Sequence, residues 1–262
     1  VSWILLSNDD GVASPALRPL ARALTPLGEV RVVVPEVERS WIGKAITRFE
    51  PLHVRKVADD PVGIWACSGY PADAVQLGIH ALFDEPPRLV VSGINIGYNY
   101  GAAFLMSSGT VGAAVEAWVS GIPGVAVSTG QVGDWEAWRA AVLRPDAAPG
   151  WEALGEYTAE LLGAIGAGGL FDRCDVVSIN VPWGADASTP VRITSVARTG
   201  YERLFRKVDE GVFVHDFGAL VPFDGLAGTD VGAARERIVS VTPLRMPEAV
   251  DVPVEIRRRV ER

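Results

Sequence analysis

Short β-branched apolar runs alternate with longer amphipathic stretches through the first two thirds of the chain. The runs at 2–6, 29–34, 64–67, 88–92, 125–128 and 175–181 are apolar almost throughout, as strands buried on both faces should be. Between them, 15–24, 72–83, 110–119 and 151–165 carry apolar positions at helical spacing. Ser14 is placed to cap the first helix, with Pro15 at its first position, and Pro19 is expected to kink it. Alternation of this kind predicts an α/β fold, a mostly parallel sheet with helices on both faces. Ligands of such sheets gather outside the carboxyl ends of the strands.

Beyond Pro182 the pattern changes. A strand is expected at 191–197, half of a long hairpin at 211–214, a short helix at 229–237 and another strand at 238–242. The tail 254–262 is polar and helical, with four arginines among its last six residues. The segment 144–150, with two prolines and a glycine, is expected to be a loop. The division this suggests is a core over 1–185 and a C-terminal extension over 186–262 that contains a β-hairpin and a helix.

Composition narrows the function classes. Of 262 residues, 48% are hydrophobic and 21% charged, enough for a sizeable core, and the net charge of −8 argues against a nucleic-acid duplex or an anionic membrane as partner. Cys67 and Cys174 are too few for a disulfide framework and lack metal-type spacing. No stretch approaches the roughly 18 apolar residues of a membrane span, and the opening apolar run meets Asn8 too soon for a secretory signal. The expectation is a cytoplasmic protein.

The first strand runs into Asn8, Asp9, Asp10 and Gly11, which places two adjacent carboxylates at its carboxyl end. Neighbouring carboxylates repel each other and resist burial without a cation. By themselves they fit either a solvated turn or a pair of hard oxygen ligands for Mg²⁺, Mn²⁺ or Ca²⁺, and the strand-end position favours the second. In VVSGINIGYNYG, residues 90–101, glycines permit close backbone approach and asparagines offer amide oxygens and donors. In SSGTVGAAVEAW, residues 107–118, a Ser-Ser-Gly-Thr sequence opens a helix, where free N–H groups, hydroxyls and the helix dipole suit an anion. The same residues also suit a plain helix cap. Ser40 and Lys44 occupy the loop after the second strand, where Lys44 is expected to be a solvated charge. Asp73 fits a first-turn acid, and His53, His80 and His215 match no ligand or triad spacing, so structural roles are expected for them.

Together, ILLSNDDG, VVSGINIG, SSGTVGAA and GTDVGAARERIVSVTPL resemble the SurE (survival protein E) family of metal-dependent nucleotide phosphatases, in the same order from Ile4 to Leu244. The resemblance implies a Rossmann-like core and an extension that exchanges between subunits of a homodimer or homotetramer. It implies one divalent metal ion per subunit, on Asp9, Asp10, Ser40 and Asn95, and a phosphate-binding loop at Ser108, Gly109 and Thr110. The all-oxygen donor set suits Mg²⁺ or Mn²⁺ better than Zn²⁺. The chain departs from the family pattern at Tyr70, Trp41 and Ser107, positions nearer substrate contacts than metal ligands.

The implied activity is hydrolysis of nucleoside monophosphates, at the 5′ and/or 3′ position, to nucleoside and phosphate. Asp9, Asp10 and Asn95 form the catalytic set, Asp9 orienting the water or accepting its proton, and Asn95 also contacts phosphate. A covalent aspartyl-phosphate enzyme would show Asp-x-Asp rather than adjacent acids. A nucleoside hydrolase needs further acids in the first loop. A nucleotide-binding regulatory module without turnover would not need the carboxylate pair.

Overall fold

The computed structural model describes residues 2–58 and 62–261. Its main sheet is built from β1 (Trp3–Ser7), β2 (Glu29–Pro35), β3 (Val54–Ala58), β4 (Ile64–Cys67), β5 (Leu89–Ile96), β6 (Gly124–Gly130), β7 (Val176–Pro182), β8 (Val191–Ile193) and β13 (Val239–Leu244). These nine strands lie in the order β3-β4-β2-β1-β5-β6-β7-β13-β8. The six from β4 to β7 are parallel, β3 and β13 run antiparallel to their neighbours β4 and β7, and β8 is parallel to β13. The expected mostly parallel α/β sheet is therefore present.

Alternation within β1 sets the two layers. Ile4 and Leu6 face α1 (Leu17–Ala23) and α6 (Ala148–Ala167), whereas Trp3 and Leu5 face α2 (Pro71–His80) and α4 (Gly109–Val119). All five residues of β1 are buried, so the strand leaves the sheet in a direction packed from both sides. On the second face, Ala113 and Ala117 of α4 pack into the cluster around Leu5 and Val90. Small side chains let that helix approach the strand ends closely.

Several local expectations are corrected. Helix α1 starts at Leu17 rather than Pro15, and the Ser14 hydroxyl makes no capping bond. Pro19 then falls in the first turn, where a backbone N–H would have no helical acceptor, so it requires no kink. Within 144–150, Arg144 is extended and the rest is helical, a 3₁₀ turn at Pro145–Ala147 leading into α6. Helices α3 (Gly101–Ser107) and α5 (Trp135–Val142) and the edge strand β3 lie outside the expected elements, although α5 buries Trp138 and Val142 at helical spacing.

The segment 186–262 adds β8 and β13 to the main sheet and α7 (Asp230–Arg235), where Gly232 N–H donates to the Thr229 hydroxyl at 3.1 Å. Buried Asp230 accepts backbone N–H bonds from Gly101 (2.8 Å), Ala197 (2.9 Å) and Val231 (2.8 Å), tying this segment to the start of α3. Two small antiparallel pairs complete it, β9 (Thr199–Tyr201) with β12 (Leu220–Pro222), and β10 (Phe205–Asp209) with β11 (Val212–His215). Every residue of β10 and β11 is exposed in the single chain. The tail ends in α8 (Val254–Val260). Among the described residues, no single helix is long and apolar enough to cross a membrane.

Candidate active site

The end of β1 presents the carboxylates through a tight turn. Asn8 closes it, its Nδ2 donating to the Gly11 carbonyl (3.0 Å) and its Oδ1 accepting from Gly11 N–H (3.1 Å). Gly11 has φ 82°, and a Cβ there would lie 2.7 Å from the carbonyl carbon of Val37, so the turn requires glycine. Asp9 is buried, and its Oδ1 accepts from the Thr110 hydroxyl. The Asp9 carbonyl accepts from Arg39 N–H at 2.7 Å, fastening the loop after β2 to the same place. Asp10 Oδ2 accepts from Ile96 N–H at 3.1 Å.

Helix α4 starts against Asp9. A Cβ on Gly109 would lie 2.9 Å from Asp9 Cβ and 3.0 Å from its Oδ2. Ser108 caps this helix, its Oγ accepting from Val111 N–H at 3.1 Å. Burial pushes the Asp9 carboxyl up to about 6 from its usual 3.8, although the hydroxyl and backbone amide of Thr110 pull it down. Burial and then the charge of Asp9 raise Asp10 well above the usual carboxylate range, with the Ile96 N–H opposing. A buried acid and a half-buried neighbour that each resist ionisation form an environment a cation would relieve.

Asp9, Ser40, Asn95 and Ser108 line one cavity of about 830 Å³. The amide of Asn95 donates to the Gly97 carbonyl at 2.6 Å, so its donor end is engaged within its own loop. Ser40 donates to Glu38 Oε1 at 2.6 Å, and Glu38 Oε2 lies 3.3 Å from Arg139 Nη2. Asp10, Gly109 and Thr110 are not among the lining residues. Asp10 is turned onto Ile96, and Thr110 is fully buried with its hydroxyl on Asp9. The oxygen-only donors fit a hard divalent cation by their chemistry. Among the described residues no three His, Cys, Asp or Glu side chains group as ligands.

Lys44 is not a free solvated charge. It pairs with the buried carboxylate of Glu116 on α4, which also accepts from the amide of Gln76. Gly43 N–H donates to the Ser107 carbonyl at 2.9 Å, so the loop bearing Ser40 is fastened to α4 and the end of α3. Asp73 does more than favour a helix dipole, accepting from the N–H groups of Tyr70 (2.8 Å) and Thr47 (3.0 Å) and from the Thr47 hydroxyl (2.6 Å).

The far side of the cavity is aromatic. Trp41 contacts Phe104, Tyr201, His215 and Phe217, with ring centroids 5.6, 5.6, 4.8 and 6.0 Å away. Tyr98 and Trp135 also line the cavity. His215 therefore reaches the candidate site, a role its sequence spacing had hidden. Trp41 sits in the left-handed backbone region at φ 59°, an outlier for a bulky residue that costs about 1 kcal/mol. The sequence cue to this wall was Trp41, a departure from the family pattern at a position nearer substrate contacts than metal ligands.

A mostly parallel sheet that presents a buried aspartate to the start of a capped helix, with a second aspartate beside it and a cavity of about 830 Å³, defines an α/β protein with an ionic site at the carboxyl edge of its sheet. The family model described as Survival protein SurE matches residues 4–203. A 5′-nucleotidase SurE of Methanocella arvoryzae is 36% identical over 260 residues, covering 97% of this chain and 96% of that protein. Another, from Geobacter sulfurreducens, is 39% identical over 248 residues, covering 93% of this chain and 87% of that protein. The crystal structure of the SurE protein from Aquifex aeolicus superposes with a TM-score of 0.71 at 27% identity, covering 99% of this chain and 98% of that one. The chain belongs to the SurE family.

Proposed function

We propose that this protein is a divalent-cation-dependent phosphatase of nucleoside monophosphates, a 5′-nucleotidase that also acts on 3′ esters. The observation that carries the reading is Asp9, which lines the cavity and abuts the first turn of α4, with Asp10 next to it in the chain. Relatives named 5′-nucleotidase SurE along nearly the whole chain support it.

Asp9, Asp10, Ser40 and Asn95 would hold one Mg²⁺ or Mn²⁺. When bound, the ion supplies positive charge that lowers the pKa of water and offsets charge building on phosphoryl oxygens. Asp9 orients the attacking water and takes its proton, while the Thr110 hydroxyl holds the carboxylate in place. Ser108 and the first amides of α4 receive the phosphoryl oxygens at the positive end of the helix. Asn95 positions the phosphate from the opposite loop. A nucleotide-binding module without turnover would have no use for two adjacent acids whose ionisation is disfavoured, Asp10 by the charge of Asp9 as well as by burial.

The extension over 186–262 is proposed to exchange between subunits of a homodimer or homotetramer. The ribbon of β10 and β11 supports this, because a two-stranded ribbon exposed on both faces is marginal in water. The test of function is phosphate release from nucleoside 5′- and 3′-monophosphates with Mg²⁺ or Mn²⁺, before and after chelation. Turnover that survives complete chelation would overturn cation dependence. Release of free base instead of phosphate would replace the reading with a nucleoside hydrolase.

A further inference from the structure

We infer that Trp41 and the rings around it form a stacking platform for the purine base of the substrate. This identity of ligand rests on the nucleotide-phosphatase reading, but the platform itself rests on the geometry of the wall.

The cavity is far larger than a phosphate requires. Its volume of about 830 Å³ lies in the range of roughly 300–1,000 Å³ that takes a whole small molecule. Asp9, Ser40 and Asn95 share the lining with Trp41, Phe104 and Phe217. Trp41 follows Ser40 directly, so the ring begins where the ionic part of the cavity ends. The wall is braced rather than loose, by Phe104 of the core and by Tyr201, His215 and Phe217 of the extension, which a neighbouring subunit would supply after exchange. Phe104 meets the Trp41 ring nearly edge-on at 85°, and Tyr201, His215 and Phe217 meet it tilted at 50°, 59° and 46°. Tyr201 is itself pinned, its hydroxyl paired with Ser107 and donating to the Ala103 carbonyl.

Despite four ring neighbours, Trp41 is still 41% exposed. Its backbone is held at φ 59°, so the fold accepts local strain to present this ring. Nucleobases stack on aromatic faces whatever their sequence, and an indole offers the largest face among side chains. A bicyclic purine covers more of it than a pyrimidine does. Charge points the same way. The lining carries Glu38, Glu136 and Asp216 against Arg139, which opposes a second anionic group there and leaves room for an uncharged base.

The experiment compares kcat/KM for AMP, UMP and ribose 5-phosphate, with the intact protein and a divalent cation, in wild type, Trp41→Ala and Trp41→Phe. Expected for wild type is AMP above UMP, and AMP at least tenfold above ribose 5-phosphate. Trp41→Ala should shrink the AMP to ribose 5-phosphate ratio by roughly 5- to 150-fold, mainly through KM, and Trp41→Phe should recover part of it. Calorimetric titration with adenosine and uridine, which carry no phosphate, reads the platform directly. Adenosine should bind more tightly than uridine and weaken in Trp41→Ala. A wild-type ratio near one, or an unchanged ratio in Trp41→Ala, overturns the platform. Loss of all phosphatase activity with retained Trp41-dependent adenosine binding overturns the catalytic reading alone. Absence of adenosine binding overturns the platform whatever the catalysis.

Discussion

Replacing Asp9 by asparagine should make the cation-free protein more stable while abolishing turnover. Burial raises the Asp9 carboxyl from 3.8 to about 6 in the folded state. The folded protein therefore binds more protons than the unfolded chain between those two values, and stability falls as pH rises through that window. Below 3.8 Asp9 is neutral in both states and costs nothing. Above 6 the full penalty applies, about 2 pH units at roughly 1.4 kcal/mol each, or on the order of 3 kcal/mol. Asparagine keeps the volume and still offers an oxygen to the Thr110 hydroxyl. It also removes the charge that raises Asp10. Urea unfolding in the presence of a chelator should show Asp9→Asn ahead by about 1–3 kcal/mol at pH 7.5, and the difference should vanish near pH 4. For a chain of this size that corresponds to a rise in Tm of roughly 2–12 °C. Mg²⁺ at about a hundredfold over its Kd should then return roughly 2.7 kcal/mol to the wild type and little to the variant. A variant that is no more stable than wild type at pH 7.5 in chelator would refute the claim that Asp9 is held against its own ionisation.

Three further outcomes are expected. Thr110→Val removes the hydroxyl on a buried carboxylate, so stability should drop by about 1.5–3 kcal/mol in urea unfolding, and the acid limb of the pH–rate profile should move to higher pH. An unmoved limb would mean that the Thr110 hydroxyl does not tune Asp9. Lys44→Met leaves the buried Glu116 carboxylate with Gln76 alone, and should cost about 1–3 kcal/mol and raise KM by loosening the loop that bears Ser40; stability and kinetics equal to wild type would show the pair to be idle. Light scattering on the intact chain should give a mass of at least twice 27.9 kDa, and Phe213→Asp on the exposed ribbon should lower it, whereas a monodisperse wild-type monomer would refute subunit exchange.

The sequence by itself determined the elements whose signal is local. Apolar runs specified β1, β2, β4, β5, β6 and β7, because strands buried on both faces must be apolar at nearly every position. Ser108 before Gly109 marked the start of α4, and Gly11 after Asp9 and Asp10 marked the turn, because caps and turns depend on a few adjacent residues. The order of the sheet and the antiparallel seat of β13 depended on which edges remained open after packing, and no short window of sequence records that. Helix α3 buries only Gly101 of its seven residues and so carries no apolar stripe to read, whereas α5 buries Trp138 and Val142 four positions apart, a helical signal confined to eight residues. The ion pair of Lys44 with Glu116 and the meeting of Trp41 with His215 join residues 72 and 174 positions apart. Side chains so distant become neighbours only through the complete fold, which is why the carboxylates of the site were legible in the chain and its aromatic wall was not.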